Sequence, residues 1–475
     1  MTNDDILHKV IWIALCLVIL VSCYRSSSLR APPLVEKSPF LAIWNAPTEQ
    51  CTTQRNTSLS LQLFQFVASP RVTAINQTLT LFYKDRLGLY PYFDEVTGVS
   101  INGGLPQLIP LARHLKKTTD DIRLYIQCVK QTGLAVIDWE EWRPSWDRNW
   151  GLKRVYQKKS IELVHREDRT LTSRTASPIA KKAFEAAARS VMQVTLSLGK
   201  LQRPSRAWGF FLFPECYNYD YHHNPDNYTG RCPDLEKKRN DELHWLWEES
   251  TALYPSIYLE TALKSSSNAA LYSRHRIQEA KRLSTVGSGN APLPIYVYTR
   301  PVFKDRPEEF LSQEDLVNTV GESAALGVSG IVMWGDRNLT KSVATCRNLA
   351  KYLRDVLNTY VINVTLAAKM CSELLCGGKG ACARKSWNSN DYLHLNPRDF
   401  QIKTDASGKY SVSGQPTAEE VARLADRFQC SCYEGSDCLH EANQNRTTSL
   451  SVCVTHDICI TADAIRRRQP ANGCQ

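Results

Sequence analysis

Gly133-Leu-Ala-Val-Ile-Asp138-Trp-Glu140-Glu-Trp-Arg143-Pro144 is an apolar run that stops abruptly in acids and aromatics. A short, continuous apolar run reads as a strand covered on both faces. Side chains alternate along a strand, so Asp138 and Glu140 project to one side and Glu141 to the other. Two neighbouring carboxyls cannot both ionise cheaply, and the one that keeps its proton near neutral pH is a general acid. Protonating a glycosidic oxygen needs such a group. Trp139 and Trp142 are candidates to exclude water or to stack on sugar faces. The competing reading is a solvated acidic strand end capped by Arg143, the usual meaning of an isolated D-x-E.

Working outward, similar runs recur at Phe40-Leu-Ala-Ile-Trp44, Leu79-Thr-Leu-Phe-Tyr83, Trp208-Gly-Phe-Phe-Leu-Phe213, Ile295-Tyr-Val-Tyr298 and Gly330-Ile-Val-Met-Trp334. Helical periodicity lies between them, over 180–201, from a capping-box-like start at Ser312 towards Ala325, and over 342–360. Strand–helix alternation over 35–365 predicts an α/β fold with a parallel sheet, and a closed (β/α) barrel suits the length. In such a barrel the C-terminal end of the 133–138 strand faces the active site.

The 475 residues exceed one small domain, and the net charge of +10 favours a polyanionic partner or a solvated basic surface. Val10 to Cys23 is apolar and has the length of a signal-peptide core, although Asp4 and Asp5 leave an uncleaved anchor open, so 1–30 is read as leader or anchor. No apolar tail follows Cys474, so no glycolipid anchor is expected. Sequons at Asn56, Asn76, Asn227, Asn338, Asn363 and Asn445, and 16 cysteines, agree with an oxidising secretory route. Nucleic acid is therefore set aside as a partner, and an acidic extracellular polysaccharide moves forward.

Cysteines crowd after residue 366. The spacing C-x4-C-x5-C, then C-x-C-x5-C, resembles an epidermal-growth-factor-like module over 366–440, with a 47-residue insert between Cys382 and Cys430. That resemblance implies the pairs Cys371–Cys382, Cys376–Cys430 and Cys432–Cys438. Zinc binding competes, but the compartment oxidises and no CxxC pairs occur, so no metal is expected. Cys453 and Cys459 are read as a small disulfide loop in a tail, 441–475. Cys128 and Cys474 have no evident partner.

Together, Trp44-Asn-Ala-Pro47, Arg86-Leu-Gly88, Asn102-Gly-Gly-Leu-Pro-Gln107, Ile137-Asp-Trp-Glu-Glu-Trp-Arg-Pro144, Tyr254-Pro-Ser-Ile-Tyr258, Gly321-Glu-Ser-Ala-Ala-Leu-Gly327, Trp334-Gly335, Leu393-His-Leu-Asn-Pro397 and Cys430-Ser-Cys-Tyr433 resemble the animal hyaluronidases along nearly the whole chain. Lys385-Ser-Trp-Asn-Ser-Asn-Asp-Tyr-Leu393 and the Cys453/Cys459 pair lean towards the sperm-surface type. The resemblance implies a distorted (β/α) TIM-like barrel followed by the cysteine-rich module. It also implies a cofactor-free monomer acting on hyaluronan, with chondroitin second, in an extracellular, cell-surface or acrosomal setting. Glu140 then matches the general acid/base, and Asp138 the carboxylate that positions the substrate acetamido group. In this retaining, substrate-assisted scheme the acetamido oxygen is the nucleophile. Asn45, Tyr83, Tyr258, Asp305 and Trp334 match further active-site positions, Arg143 a groove cation, and Cys51–Cys346 and Cys216–Cys232 the barrel disulfides. Without the resemblance, Trp334 and Tyr258 would read as core.

One position departs from the family pattern. Its active-site tyrosine lies five residues before the cysteine matched by Cys216, and here Phe211 stands in its place. A phenyl ring keeps the shape but donates no hydrogen bond, and losing one preorganised donor costs on the order of a hundredfold in rate. Two functions therefore stand: a hyaluronan hydrolase, and a hyaluronan-binding or adhesion protein with weak catalysis.

Overall fold

The computed structural model describes residues 28–466, apart from 288, 290, 406 and 439–446. Residues 1–27 of the expected 1–30 leader, Asn445 and Cys474 lie outside the described residues, whereas Ser28–Arg30, read as the end of the leader, form a strand of the fold.

Seven strands position the site: β1 (Leu41–Asn45), β2 (Phe66–Ala68), β3 (Leu79–Tyr83), β4 (Gly133–Asp138), β5 (Arg206–Phe210), β6 (Tyr296–Thr299) and β7 (Gly330–Trp334). All their mutual pairings are parallel, in the orders β2-β1-β7-β6 and β3-β4-β5. Isolated parallel bridges Phe211–Tyr254, Leu253–Ile295 and Ser256–Tyr298 join β5 to β6 through the 253–256 segment. At the other ends, between β2 and β3, the Gln77 carboxamide does the joining. It accepts the Ser69 N–H at 2.6 Å and donates to the Ser69 carbonyl at 2.9 Å.

The alternation along each strand explains the continuous apolar runs. Leu41, Ile43, Leu79, Leu81, Leu134 and Val136, with Phe211, Tyr254, Tyr296, Tyr298 and Val332, form one buried cluster. Ala42, Trp44, Phe82, Ala135, Ile137 and Trp208 alternate with them and join the larger core shared with the helices. Both faces are buried, so the runs are mostly apolar, and polar residues such as Asn45, Asp138 and Thr299 stand at strand C-terminal ends. Asp138 is in phase with Leu134 and Val136 and belongs to the inner set. Gly133 lets β4 start close to its neighbour. Its φ is +150°, and a Cβ there would lie 2.0 Å from the Thr78 carbonyl, which accepts the Leu134 N–H and an Arg206 guanidinium N–H.

The helix expected over 180–201 runs Ser173–Gln202, starting at a Thr172 capping box. Ser312 caps its helix as expected, with Asp315 answering at the third position. The largest difference lies at the expected domain boundary. The helix read to end near Tyr360 continues through a wider turn at Leu353–Leu357 into Asn358–Cys376. Position 366 is thus mid-helix, and Cys371 and Cys376 sit on that helix. Val361, Ile362, Val364, Leu366, Ala367 and Ala368 are all buried, so the segment has no polar stripe from which helical periodicity could be read.

The cysteine-rich part packs onto the rest. Gly380–Arg384 pairs antiparallel with Phe428–Tyr433, which also pairs in parallel with Ser28–Arg30. Fully buried Glu322 sits between Arg274 and Arg384, and Arg274 also donates to the Asn388 carbonyl at 2.9 Å. The insert forms the hairpin Phe400–Thr404/Tyr410–Gly414 and the helix Ala418–Arg427. The 441–475 segment, read as a tail, contains the hairpin Thr447–Thr455/Ile458–Arg466 with Leu450, Val452, Ile458 and Ile460 buried. All six expected disulfides are formed: Cys51–Cys346, Cys216–Cys232, Cys371–Cys382, Cys376–Cys430, Cys432–Cys438 and Cys453–Cys459. Cys128 is exposed and free.

Candidate active site

The C-terminal ends of the strands open into a cavity of about 640 Å³. Glu140, Arg143, Phe211, Tyr258 and Trp334 line it, as the sequence motifs predict. Asp138, at the end of β4, adjoins Glu140 and is not itself one of the lining residues. Burial first, then the charges of Glu140 and Glu141, push the Asp138 carboxyl well above the ordinary aspartate range. A hydrogen bond shared with Glu140 adds to this, and Arg143 opposes it. Of the two carboxyls, Asp138 is therefore the one whose surroundings favour the protonated form. Glu140 is the accessible member, with a side chain 48% exposed against 8% for Arg143.

The walls are aromatic. Tyr258 stacks on Trp334 at 6.0 Å and 18°, and the Trp334 indole N–H donates to the Tyr83 hydroxyl at 3.1 Å. Burial and the charge of Asp138 hold the Tyr83 phenol above its ordinary range, so it stays neutral. Phe211 packs against Tyr258 at 6.0 Å and edge-on to Tyr298 at 4.9 Å. Asn45 is fully buried at the end of β1. Neither polar atom of its carboxamide has a hydrogen-bond partner of good geometry, although it lies beside the Tyr298 hydroxyl.

Arg143 differs from its expected role as an open groove cation. Its Nε donates to the Glu215 Oε1 at 3.0 Å, its Nη1 donates to the Glu140 carbonyl at 3.0 Å, and its Nη2 stands 3.7 Å from the Glu140 carboxylate. It braces Glu140 from below. Trp139 and Trp142 are buried rather than sugar-facing, stacked on Tyr90 at 4.6 and 5.2 Å. Glu141 points away, as expected, and pairs with Lys84 at 2.6 Å. Asp305 is not brought into the cluster. Its exposed carboxylate is engaged by the Thr261 N–H at 2.9 Å and the Thr261 hydroxyl at 2.5 Å. Lys304, its neighbour, lines the cavity instead.

Several residues were missed in the sequence. Glu215 carries Arg143 and Arg148 on its two oxygens. Arg300 lies over the Trp334 and Tyr258 rings at 5.0 and 5.8 Å, paired with Asp336 at 2.9 Å. The Tyr298 hydroxyl is buried without a geometric partner. None of these follows from local periodicity. A tyrosine with a strand-interior register and a glutamate beside a disulfide cysteine are the only local signs. Of the sequons, Asn56, Asn76, Asn227 and Asn338 are exposed, whereas Asn363 is half-buried and accepts the Leu395 N–H at 2.9 Å. No group of three or more metal-ligating side chains occurs among the described residues. None of the described helices is long and apolar enough to cross a membrane.

This arrangement coincides with known proteins along the chain. The profile of a family described as hyaluronidase matches residues 29–445. Hyaluronidase-5 of Mus musculus is 52% identical over 448 residues, covering 94% of this chain and 84% of its own. Hyaluronidase PH-20 of Homo sapiens is 48% identical over 444 residues, covering 94% and 86%. The crystal structure of bee venom hyaluronidase in complex with a hyaluronic acid tetramer superposes with a TM-score of 0.60 at 28% identity, covering 68% of this chain and 98% of that one. With the carboxyl pair at the strand ends and likeness extending over nearly the entire length, this chain belongs to the hyaluronidase family.

Proposed function

We propose that the chain is an endo-β-N-acetylhexosaminidase that hydrolyses the β-1,4 linkages of hyaluronan, with chondroitin as a second substrate. The observation that carries the reading is the Asp138–Glu140 pair, one member half-buried and biased towards its protonated form, the other accessible in the cavity. When the acetamido N–H of the substrate meets Asp138, the Asp138 proton passes to Glu140. Glu140 gives it to the glycosidic oxygen, and the acetamido oxygen attacks the anomeric carbon as that bond breaks. Glu140 then takes a proton from the incoming water, which opens the cyclic intermediate and restores the pair. The other carboxylates lining the cavity favour this route over an enzyme nucleophile. Glu215 is held by Arg143 and Arg148, and Glu260 by Lys304 and His222.

In the same reading, the parallel pairings form a distorted (β/α) TIM-like barrel, the 366–440 region is an EGF-like module, and the protein works outside the cell. Its disulfides and basic charge support that setting. The deciding measurement is reducing-end release from purified hyaluronan, expected at low salt and falling as salt screens the uronate-binding cations. No release between acidic and neutral pH would sink the enzyme reading in favour of a binding protein.

Phe211 is what keeps that second reading in view. The Tyr298 hydroxyl beside its ring is buried against the Asn45 carboxamide and does not line the cavity, so it does not replace the missing donor. Phe211→Tyr is therefore expected to raise kcat on hyaluronan by roughly tenfold to a hundredfold. An unchanged kcat would show that the wall needs no hydroxyl at this position.

A further inference from the structure

A second cavity, about 680 Å³, lies away from the catalytic one and takes no part in the chemistry above. Its floor is apolar, from Phe93, Leu105 and Leu108, with Leu108 43% exposed. Its rim carries His165, Arg166 and Arg169. Arg166 and Arg169 are exposed, and their guanidinium groups hold no ion pair or hydrogen bond among the described residues. Lys159 also lines the cavity but is partly neutralised by Glu162 at 2.8 Å.

The rim belongs to a longer basic stretch. Between 153 and 174 the chain has seven Lys and Arg against three acids. The helix Arg154–Glu167 spans about 20 Å. At one end stands Lys153, which lines the catalytic cavity and donates to the Glu140 and Glu141 carbonyls. At the other end is the second cavity. One polymer could lie in the catalytic cleft and still reach this rim.

We infer that this cavity is a second polysaccharide-binding site, which holds a distal stretch of the same uronate-bearing chain while the catalytic cleft cuts it. The inference rests on the proposed hydrolase reading for its substrate. Sugar C–H faces pack on the Phe93, Leu105 and Leu108 floor, and carboxylates meet Arg166 and Arg169 on the rim. Such a site strengthens long chains only, because a short oligosaccharide in the cleft does not reach it.

The test compares wild type with Arg166→Glu/Arg169→Glu on high-molecular-mass hyaluronan and on a hyaluronan tetrasaccharide. The expected result is a KM for polymer about tenfold higher, kcat within about twofold, and tetrasaccharide kinetics unchanged. Arg166→Ala/Arg169→Ala should give the same pattern at about threefold, which separates charge loss from damage to the fold. An unchanged polymer KM, or equal increases on both substrates, overturns the site. If wild type cuts no hyaluronan, the hydrolase reading fails by itself, and binding of fluorescent polymer decides the site. Tenfold weaker binding by the double variant then supports it, and equal binding overturns it. Loss of binding to anionic lipid vesicles with polymer binding intact assigns the patch to membranes and also overturns it.

Discussion

Glu140→Gln is expected to lower kcat on hyaluronan by about a thousandfold or more, with KM changed by less than about threefold. The amide keeps the shape and the neighbours of the carboxyl, so binding contacts survive. It cannot give a proton to the glycosidic oxygen or take one from water, so both chemical steps lose their proton carrier. Asp138→Asn should also abolish turnover, but its stability signature differs. The folded-state value of Asp138 is raised by burial and by Glu140. For a raised group, the contribution to stability is full below the ordinary aspartate value of about 3.9 and is lost as pH rises through the folded value. At neutral pH the wild type therefore carries a penalty that asparagine removes. Asp138→Asn should melt at or above the wild-type temperature while inactive, whereas Glu140→Gln should melt close to wild type. The two effects of each variant come from one group, because activity needs the strain that stability would discard. Residual activity of Glu140→Gln above about a tenth of wild type would transfer the proton to another group.

These roles were legible in the sequence to unequal degrees. The strand Gly133–Asp138 could be read because a run buried on both faces is continuous in the chain, and its last inward residue is the acid. Alternation also placed Glu141 outside, where it pairs with Lys84. Trp139 and Trp142 were ambiguous, since an aromatic beside a catalytic acid has the same local signature whether it meets sugar or Tyr90. The boundary at 366 misled because cysteine density marks covalent links, not the end of an element. Cys371 and Cys376, five apart on one buried helix, reach two different strands. Asp305 shows the limit of motif transfer, since its neighbour Lys304 faces the cavity and Asp305 faces Thr261. Glu215 and Arg148 could not be paired beforehand, because they are 67 residues apart and meet only when β4 and β5 lie side by side.

That hidden charge cluster carries the largest expected effect on stability. Glu215 is buried with Arg143 at 3.0 Å, Arg148 at 2.5 Å and the Tyr217 hydroxyl donating at 3.0 Å. Burial works against its charge, but the two guanidinium groups outweigh it and hold the carboxyl below the ordinary glutamate value. Glu215→Gln keeps the volume and removes the charge, leaving two buried cations with too little compensation, which costs about 3–5 kcal/mol. At ~2.1 cal/mol/K per residue, a folded chain of this size loses about 4 °C of Tm for ~4 kcal/mol. For a depressed group the stability is present above the unfolded value, about 4.3, and is lost as pH falls through the folded value. The Tm gap between wild type and Glu215→Gln should therefore be full at neutral pH and close on acidification below about 4.3. Glu215→Asp, which keeps the charge, should recover most of the gap. Catalysis should move in a different way. Arg143, freed from Glu215, turns its charge on Glu140 and favours the carboxylate, so the general acid loses its proton at lower pH. The alkaline limb of kcat/KM should shift towards acid in Glu215→Gln and return in Glu215→Asp. A variant that melts early but keeps the wild-type pH profile would make Glu215 a support for the fold alone, with no hold on the proton at Glu140.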